Sequence, residues 1–280
     1  MMKVHFLPNV ITAFGLSCGL FVIFKMNMTP LNGATEEVLT VTCAILLLAA
    51  LADLVDGAIA RALKAESEFG GLFDSLADAI TFGVGPPVMV LKSLSIEPGT
   101  EMSFFLTIGA MVYTVCGVLR LVRFNIMGHT ERQDPIVGDA QKKNFTGLPI
   151  PAAAAATVSS NLFLVSQDAK LVFDLSETVR EWTMFSIMLL LGYFMISRWK
   201  FPSFKSLHIR VASFQLVLST VLLAVLIFYG ILHHFPLVFL LVSWGYLLIA
   251  WSLSITRLIA GRKSKTLEDF EPDEEDPFNS

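Results

Sequence analysis

Charge is scarce in this chain. Only 16% of its 280 residues are Asp, Glu, Lys or Arg, against 54% hydrophobic, and mean hydropathy is +0.67. Those values exclude an ordinary water-soluble domain and point to a chain built for a bilayer. Cysteine is sparse too: Cys18, Cys43 and Cys116 stand singly in apolar runs, with no CxxC pair and no histidine at ligand spacing. Neither a disulfide framework nor a zinc site is expected. The five histidines have no partners at metal spacing and are read as interfacial. No internal repeat is evident. A basic surface for nucleic acid is missing as well. The formal net charge is -4, much of it from the acidic run 267–276, and the rest of the chain is only mildly basic. The first apolar run lacks a small-residue cleavage site, so a retained helix is expected there.

What is present is a series of apolar runs of spanning length, about 20 residues each. They lie near 10–24, 38–60, 70–91, 103–124, 148–165, 182–196, 212–232 and 237–259. The expected fold is an all-α integral membrane protein of about eight transmembrane helices over residues 1–260. A disordered tail, basic and then acidic, follows over 261–280. Residues 3–9 are expected at the interface, and 125–146 as a long inner loop. With both termini inside, 16 of the 20 Lys and Arg fall on the cytoplasmic side, and only Lys25, Lys92, Lys170 and Arg180 fall outside. The positive-inside rule favours that orientation, in the cell membrane.

Residues 52–81 hold four aspartates in otherwise apolar surroundings, and intramembrane acids are functional candidates by default. Asp53, Asp56, Gly57, Ala60 and Arg61 follow helical steps of three and four and share one face; Gly70, Asp74 and Asp78 share another. A short inner loop makes these helices antiparallel neighbours, so four carboxylates can converge near the cytoplasmic boundary. Four like charges so close require something cationic between them. Hard divalent cations, Mg²⁺ or Mn²⁺, are the natural partners, and two would suit a diphosphate substrate. The small residues would let a nucleotide approach the backbone, and Arg61 can hold a phosphate bidentately. Taken singly, each residue fits capping, pairing or helix packing as well; the joint set does not. A divalent-cation transporter would use similar acids, but nearer mid-bilayer and on broken helices.

The spacing D-x2-D-G-x2-A-R-x8-G-x3-D-x3-D, carried by Asp53, Asp56, Gly57, Ala60, Arg61, Gly70, Asp74 and Asp78, resembles the signature of the CDP-alcohol phosphatidyltransferases. The resemblance implies an integral membrane enzyme, usually a homodimer, that moves a phosphatidyl group from a CDP-linked lipid to an alcohol and releases CMP. It makes Asp53, Asp56 and Asp74 metal ligands, and Asp78 a ligand or the catalytic base. Gly57, Ala60, Arg61 and Gly70 would lie against the cytidine diphosphate.

Three further segments, 73–87 (FDSLADAITFGVGPP), 119–125 (LRLVRFN) and 145–154 (FTGLPIPAAA), resemble the branch of that family whose acceptor is L-serine and whose donor is CDP-diacylglycerol. The opening 8–20 (PNVITAFGLSCGL) does so too, except that the commoner form has Asn where Gly15 stands. Serine brings a carboxylate and an ammonium, so its site needs a cation. Arg120 and Arg123, three residues apart, can supply it; each alone serves equally as a positive-inside anchor. Asn125, Lys142 and Lys143 are secondary candidates. Gly147, Pro149 and Pro151 are expected to shape the start of the fifth span. Another acceptor alcohol, or an ether-linked archaeal CDP-lipid, would use the same chemistry.

Overall fold

The computed structural model describes residues 6–30, 34–63, 67–94, 96, 99–133, 147–172, 175–197 and 233–260. Among them every regular element is helical: α1 (Phe6–Met28), α2 (Glu36–Ala62), α3 (Glu68–Asp78), a π-helical turn (Ala79–Val84), α4 (Gly85–Ser93), α5 (Glu101–Gln133), α6 (Ile150–Val165), α7 (Gln167–Val172), α8 (Glu177–Ile196) and α9 (Phe235–Ala260). Five are long and apolar enough to cross a membrane, namely α1, α2, α5, α8 and α9, and α6 is a shorter apolar helix. The seventh expected span, 212–232, and the tail 261–280 lie outside the described residues, as do Lys142 and Lys143.

Several ends follow from local chemistry. Thr35, Ser67 and Ser176 cap α2, α3 and α8, each accepting a hydrogen bond from the backbone N–H three residues on. Helix α1 already begins at Phe6, so the interfacial stretch expected at 3–9 is helical from that point. Pro8 sits in the first turn, where its missing N–H costs nothing. Helix α5 runs to Gln133, which corrects the loop expected from Asn125.

The third expected span, 70–91, is not one uniform helix. Pro86 and Pro87 have no N–H for the carbonyls of Phe82 and Gly83, four residues back. The chain answers with the π-helical turn, and helix α5 supplies replacement donors: Tyr113 Oη donates to the Phe82 carbonyl at 3.3 Å and Thr114 Oγ1 to that of Gly83 at 2.9 Å. Backbone groups left unpaired in a bilayer are costly, which is why side chains of a neighbouring helix take over.

Helix α6 is the centre of the bundle. It touches α2, α4, the π-helical turn, α8 and α9, and none of its 16 residues is exposed. Its small residues allow that crowding and cross-link it by polar contacts: Ser159 with Ser243 at 2.6 Å, Ser160 accepting from Trp244 Nε1 at 2.8 Å, and Asn161 accepting from Ser93 at 2.6 Å. It is entered through Gly147 (φ 96), whose position against the Met195 carbonyl leaves no room for a side chain, as expected for a residue that shapes this approach. Helix α1 packs on α2, α3, the π-helical turn and α4, and so lies over the acidic stretch. At the other end of the molecule, His234 Nδ1 meets Asp168 at 2.9 Å.

Candidate active site

The C-terminal part of α2 carries Asp53 and Asp56, and α3 carries Asp74 and Asp78. Helical spacing puts each pair on one face; α2 and α3 barely touch each other, against the expectation of packed neighbours, and each packs instead on α1, which leaves the acids facing one another across a cavity. Ligand atoms of Asp53, Asp56 and Asp74 lie within 4.8 Å of one another. Asp53 and Asp74 are within hydrogen-bonding reach. Asp78 lines the same cavity but stands outside that tight trio. The four acids expected from the sequence are therefore brought together, three closely and one a turn deeper.

Two ligands of one Mg²⁺ are at most about 4.2 Å apart at its usual coordination distance of about 2.1 Å. With all three ligand atoms within 4.8 Å of one another, small side-chain rotations suffice to close the trio on a hard cation. The donor set, all carboxylate oxygen, suits Mg²⁺ or Mn²⁺ and not a soft metal.

Helix α1 contributes what sequence spacing did not reveal. Thr12 Oγ1 lies 2.5 Å from Asp56 Oδ2 and 3.1 Å from the Pro8 carbonyl. Asp56 is only 4% exposed, so this hydroxyl is a principal neighbour of a buried carboxylate. Thr12, Gly15 and Leu16 form one wall of the cavity, with Ala49, Ala77, Thr81 and Phe82. In the sequence, α1 is marked only by the resemblance of segment 8–20, and nothing in its spacing points to Thr12.

The residues expected along the nucleotide, Gly57, Ala60, Arg61 and Gly70, are not among those that line this cavity. The Arg61 guanidinium folds back over Gly57, with Nη1 3.3 Å from where a β-carbon of that glycine would stand. Gly70 faces Ser67 Oγ and Asn9 Oδ1, 3.0 and 3.1 Å from its own absent β-carbon, so the space there is shared with α1. Ala60 is half-buried beside them.

On α5, Arg120 is close enough to Asp78 to interact with its charge, and Tyr246 of α9 is a second neighbour. The Arg120 Nε atom is buried and has no hydrogen-bond partner in the protein. Arg123 is half-buried one turn along the same helix, and Asn125 accepts a hydrogen bond from Ser75 of α3 at 3.1 Å. Of the two arginines, Arg120 is thus the one the fold brings to the acids.

Comparison with known proteins agrees with this geometry. The family model for CDP-alcohol phosphatidyltransferase matches residues 5–256. The chain is 30% identical over 259 residues to the CDP-diacylglycerol–serine O-phosphatidyltransferase of Helicobacter pylori, covering 91% of this chain and 94% of that one. It is 30% identical to the protein of the same description in Bacillus subtilis, over 72% of this chain and 92% of the relative. The archaetidylserine synthase of Methanothermobacter thermautotrophicus is also 30% identical, over 70% and 69%.

Proposed function

The chain belongs to the CDP-alcohol phosphatidyltransferase family, and from that premise we propose that it transfers the phosphatidyl group of CDP-diacylglycerol to L-serine, giving phosphatidylserine and CMP. The observation that carries serine as the acceptor is Arg120: a buried guanidinium with an unpaired Nε beside Asp78 suits a small molecule bearing both a carboxylate and a hydroxyl.

In this reading the lipid's acyl chains stay in the bilayer while its diphosphate reaches the aspartates. Asp53, Asp56 and Asp74 would hold the divalent cation, Mg²⁺ or Mn²⁺, two ions suiting a diphosphate substrate. When bound, the metal neutralises the diphosphate and the charge that develops on the leaving CMP. Arg61, Gly57, Ala60 and Gly70 line the nucleotide and its phosphates. Arg120, with Arg123 behind it, holds the serine carboxylate and so directs the hydroxyl to Asp78. Asp78, free of the tight trio, accepts the hydroxyl proton as the serine oxygen bonds to the lipid-side phosphorus. The bond from that phosphorus to the bridging oxygen breaks, and its electron pair leaves on CMP. The chain's work is mainly positioning and charge stabilisation.

The distribution of basic residues supports a site on the cytoplasmic face of the cell membrane, and the family resemblance supports a homodimer as the active unit. A second reading, an ether-linked CDP-lipid as donor, is favoured by the archaetidylserine synthase relative. One assay decides among these. Purified protein receives CDP-diacylglycerol or its ether analogue, Mn²⁺ or Mg²⁺, and a panel of labelled alcohols: serine, glycerol phosphate, inositol phosphate and choline. Serine-dependent release of CMP with formation of phosphatidylserine is expected, and chelation should stop it. Preference for another alcohol, or full turnover in excess chelator, would overturn the acceptor or the metal role respectively.

A further inference from the structure

Threonines inside these helices follow a common habit. Thr40, Thr42, Thr107, Thr157 and Thr183 each donate their hydroxyl to the carbonyl four residues back, at 2.7 to 2.9 Å. Thr81 does not. Its residue is 2% exposed, its Oγ1 is buried, and that oxygen has no hydrogen-bond partner in the protein. A hydroxyl buried this deeply and left unpaired is costly, so its persistence calls for a partner that the polypeptide does not supply.

Its surroundings say where that partner lies. Thr81 lines the cavity of Asp53, Asp56, Asp74 and Asp78, on the face that continues from Asp74 and Asp78 by a step of three. It stands in the π-helical turn Ala79–Val84, and the widened turn carries the hydroxyl off its usual carbonyl. That turn is held by Tyr113 and Thr114 from α5, so the position is built and not incidental. Opposite stands Gly19 of α1, where a β-carbon would collide first with the Thr81 hydroxyl oxygen and come within 2.8 Å of its Cβ and Cγ2 atoms, so the hydroxyl fills the space that the missing side chain leaves. The glycine is what makes room for this threonine.

We infer that Thr81 is a further residue of the metal centre, its hydroxyl hydrogen-bonding to water carried by the cation that the aspartates hold. The inference rests on the metal reading given under the proposed function. A hydroxyl suits the task because it both donates and accepts, and it adds an oxygen without adding a fifth negative charge. Partners that orient the ligands of a metal commonly contribute ten- to a hundredfold in its affinity. Thr81 is in this sense a positioning residue and takes no part in bond making.

The test is Mn²⁺ binding to the full-length protein in detergent, read by electron paramagnetic resonance without substrate, for wild type, Thr81→Val, Thr81→Ser and Asp53→Asn. Valine keeps the shape and removes the hydroxyl; serine keeps the hydroxyl. Expected are a roughly tenfold or greater loss of Mn²⁺ affinity in Thr81→Val and near wild-type affinity in Thr81→Ser. A merely buried, unsatisfied hydroxyl predicts the opposite pattern: unchanged Mn²⁺ affinity and equal or higher thermal stability for Thr81→Val. That result would overturn the inference while leaving the metal centre standing. Wild type and Asp53→Asn that bind Mn²⁺ equally poorly would instead overturn the metal reading itself. Should Thr81→Val fail to accumulate, Thr81→Ala against Thr81→Ser gives the same comparison, with the same outcome deciding it.

Discussion

The Thr12 hydroxyl lies 2.5 Å from Asp56 Oδ2 and ties α1 to α2 across 44 positions of sequence. It is the shorter of two contacts made by that oxygen, the other being to its own helix at Pro8. Thr12→Val should therefore loosen Asp56 without removing a charge. Expected is a loss of about tenfold in the apparent affinity for Mn²⁺ during turnover. Metal titrations of activity would show it, with Thr12→Ser close to wild type. An unchanged metal dependence would mean that Asp56 is held by its own helix alone.

Asp78 is separable from its three neighbours. Asp78→Asn should abolish transfer yet leave CDP-lipid binding largely intact, since the tight trio is untouched. Binding of a CDP-lipid to the variant, measured beside CMP release, checks both halves. Near-normal turnover would remove Asp78 from the mechanism.

Arg120 should act on the acceptor. Charge-assisted hydrogen bonds are worth about 2 kcal/mol each, so Arg120→Gln should raise KM for serine by roughly thirtyfold or more, with a much smaller change in KM for the lipid. A parallel rise in both constants would point to general disruption of the inner face.

The carbonyl of Phe82 depends on a single phenol. Tyr113→Phe leaves that carbonyl without the donor that replaces the Pro86 N–H, in a residue with no exposure. Thermal unfolding in mild detergent should register a loss of about 1 to 3 kcal/mol. No loss of stability would imply that water reaches the turn.

Gly19→Ala places a methyl group against Thr81, where the nearest side-chain atoms cannot retreat far because the π-helical turn is fixed from α5. Overpacking of this kind costs about 1 to 3 kcal/mol. Thermal unfolding and activity should fall together, and a fully active, equally stable variant would show that α1 can shift.

The acids were legible because their relation is local. Steps of three and four along one helix, and a short loop between two helices, need no knowledge of distant partners. The same reasoning could not reach Thr12 or Thr81, which are ordinary helix residues until α1 is laid across α2 and α3. Pro86 and Pro87 fell inside an expected span of 70–91, and their effect on Phe82 and Gly83 needed Tyr113 and Thr114, which belong to another helix. Boundaries drifted where polar residues continue a helix beyond its apolar part, as from Asn125 to Gln133. Arg120 and Arg123 were indistinguishable in sequence, and burial beside Asp78 separates them.

Helix α6 has a consequence for how the molecule comes into being. Its 16 residues make a rod of about 24 Å, shorter than a hydrocarbon layer of about 30 Å. None of its residues is exposed, because α2, α4, α8 and α9 pack around it. While synthesis has reached only residue 165, α8 and α9 do not yet exist to shelter it, and lipid is a poor substitute for them. The later helices α8 and α9 thus complete the scaffold that α6 forms behind the acids of the earlier ones.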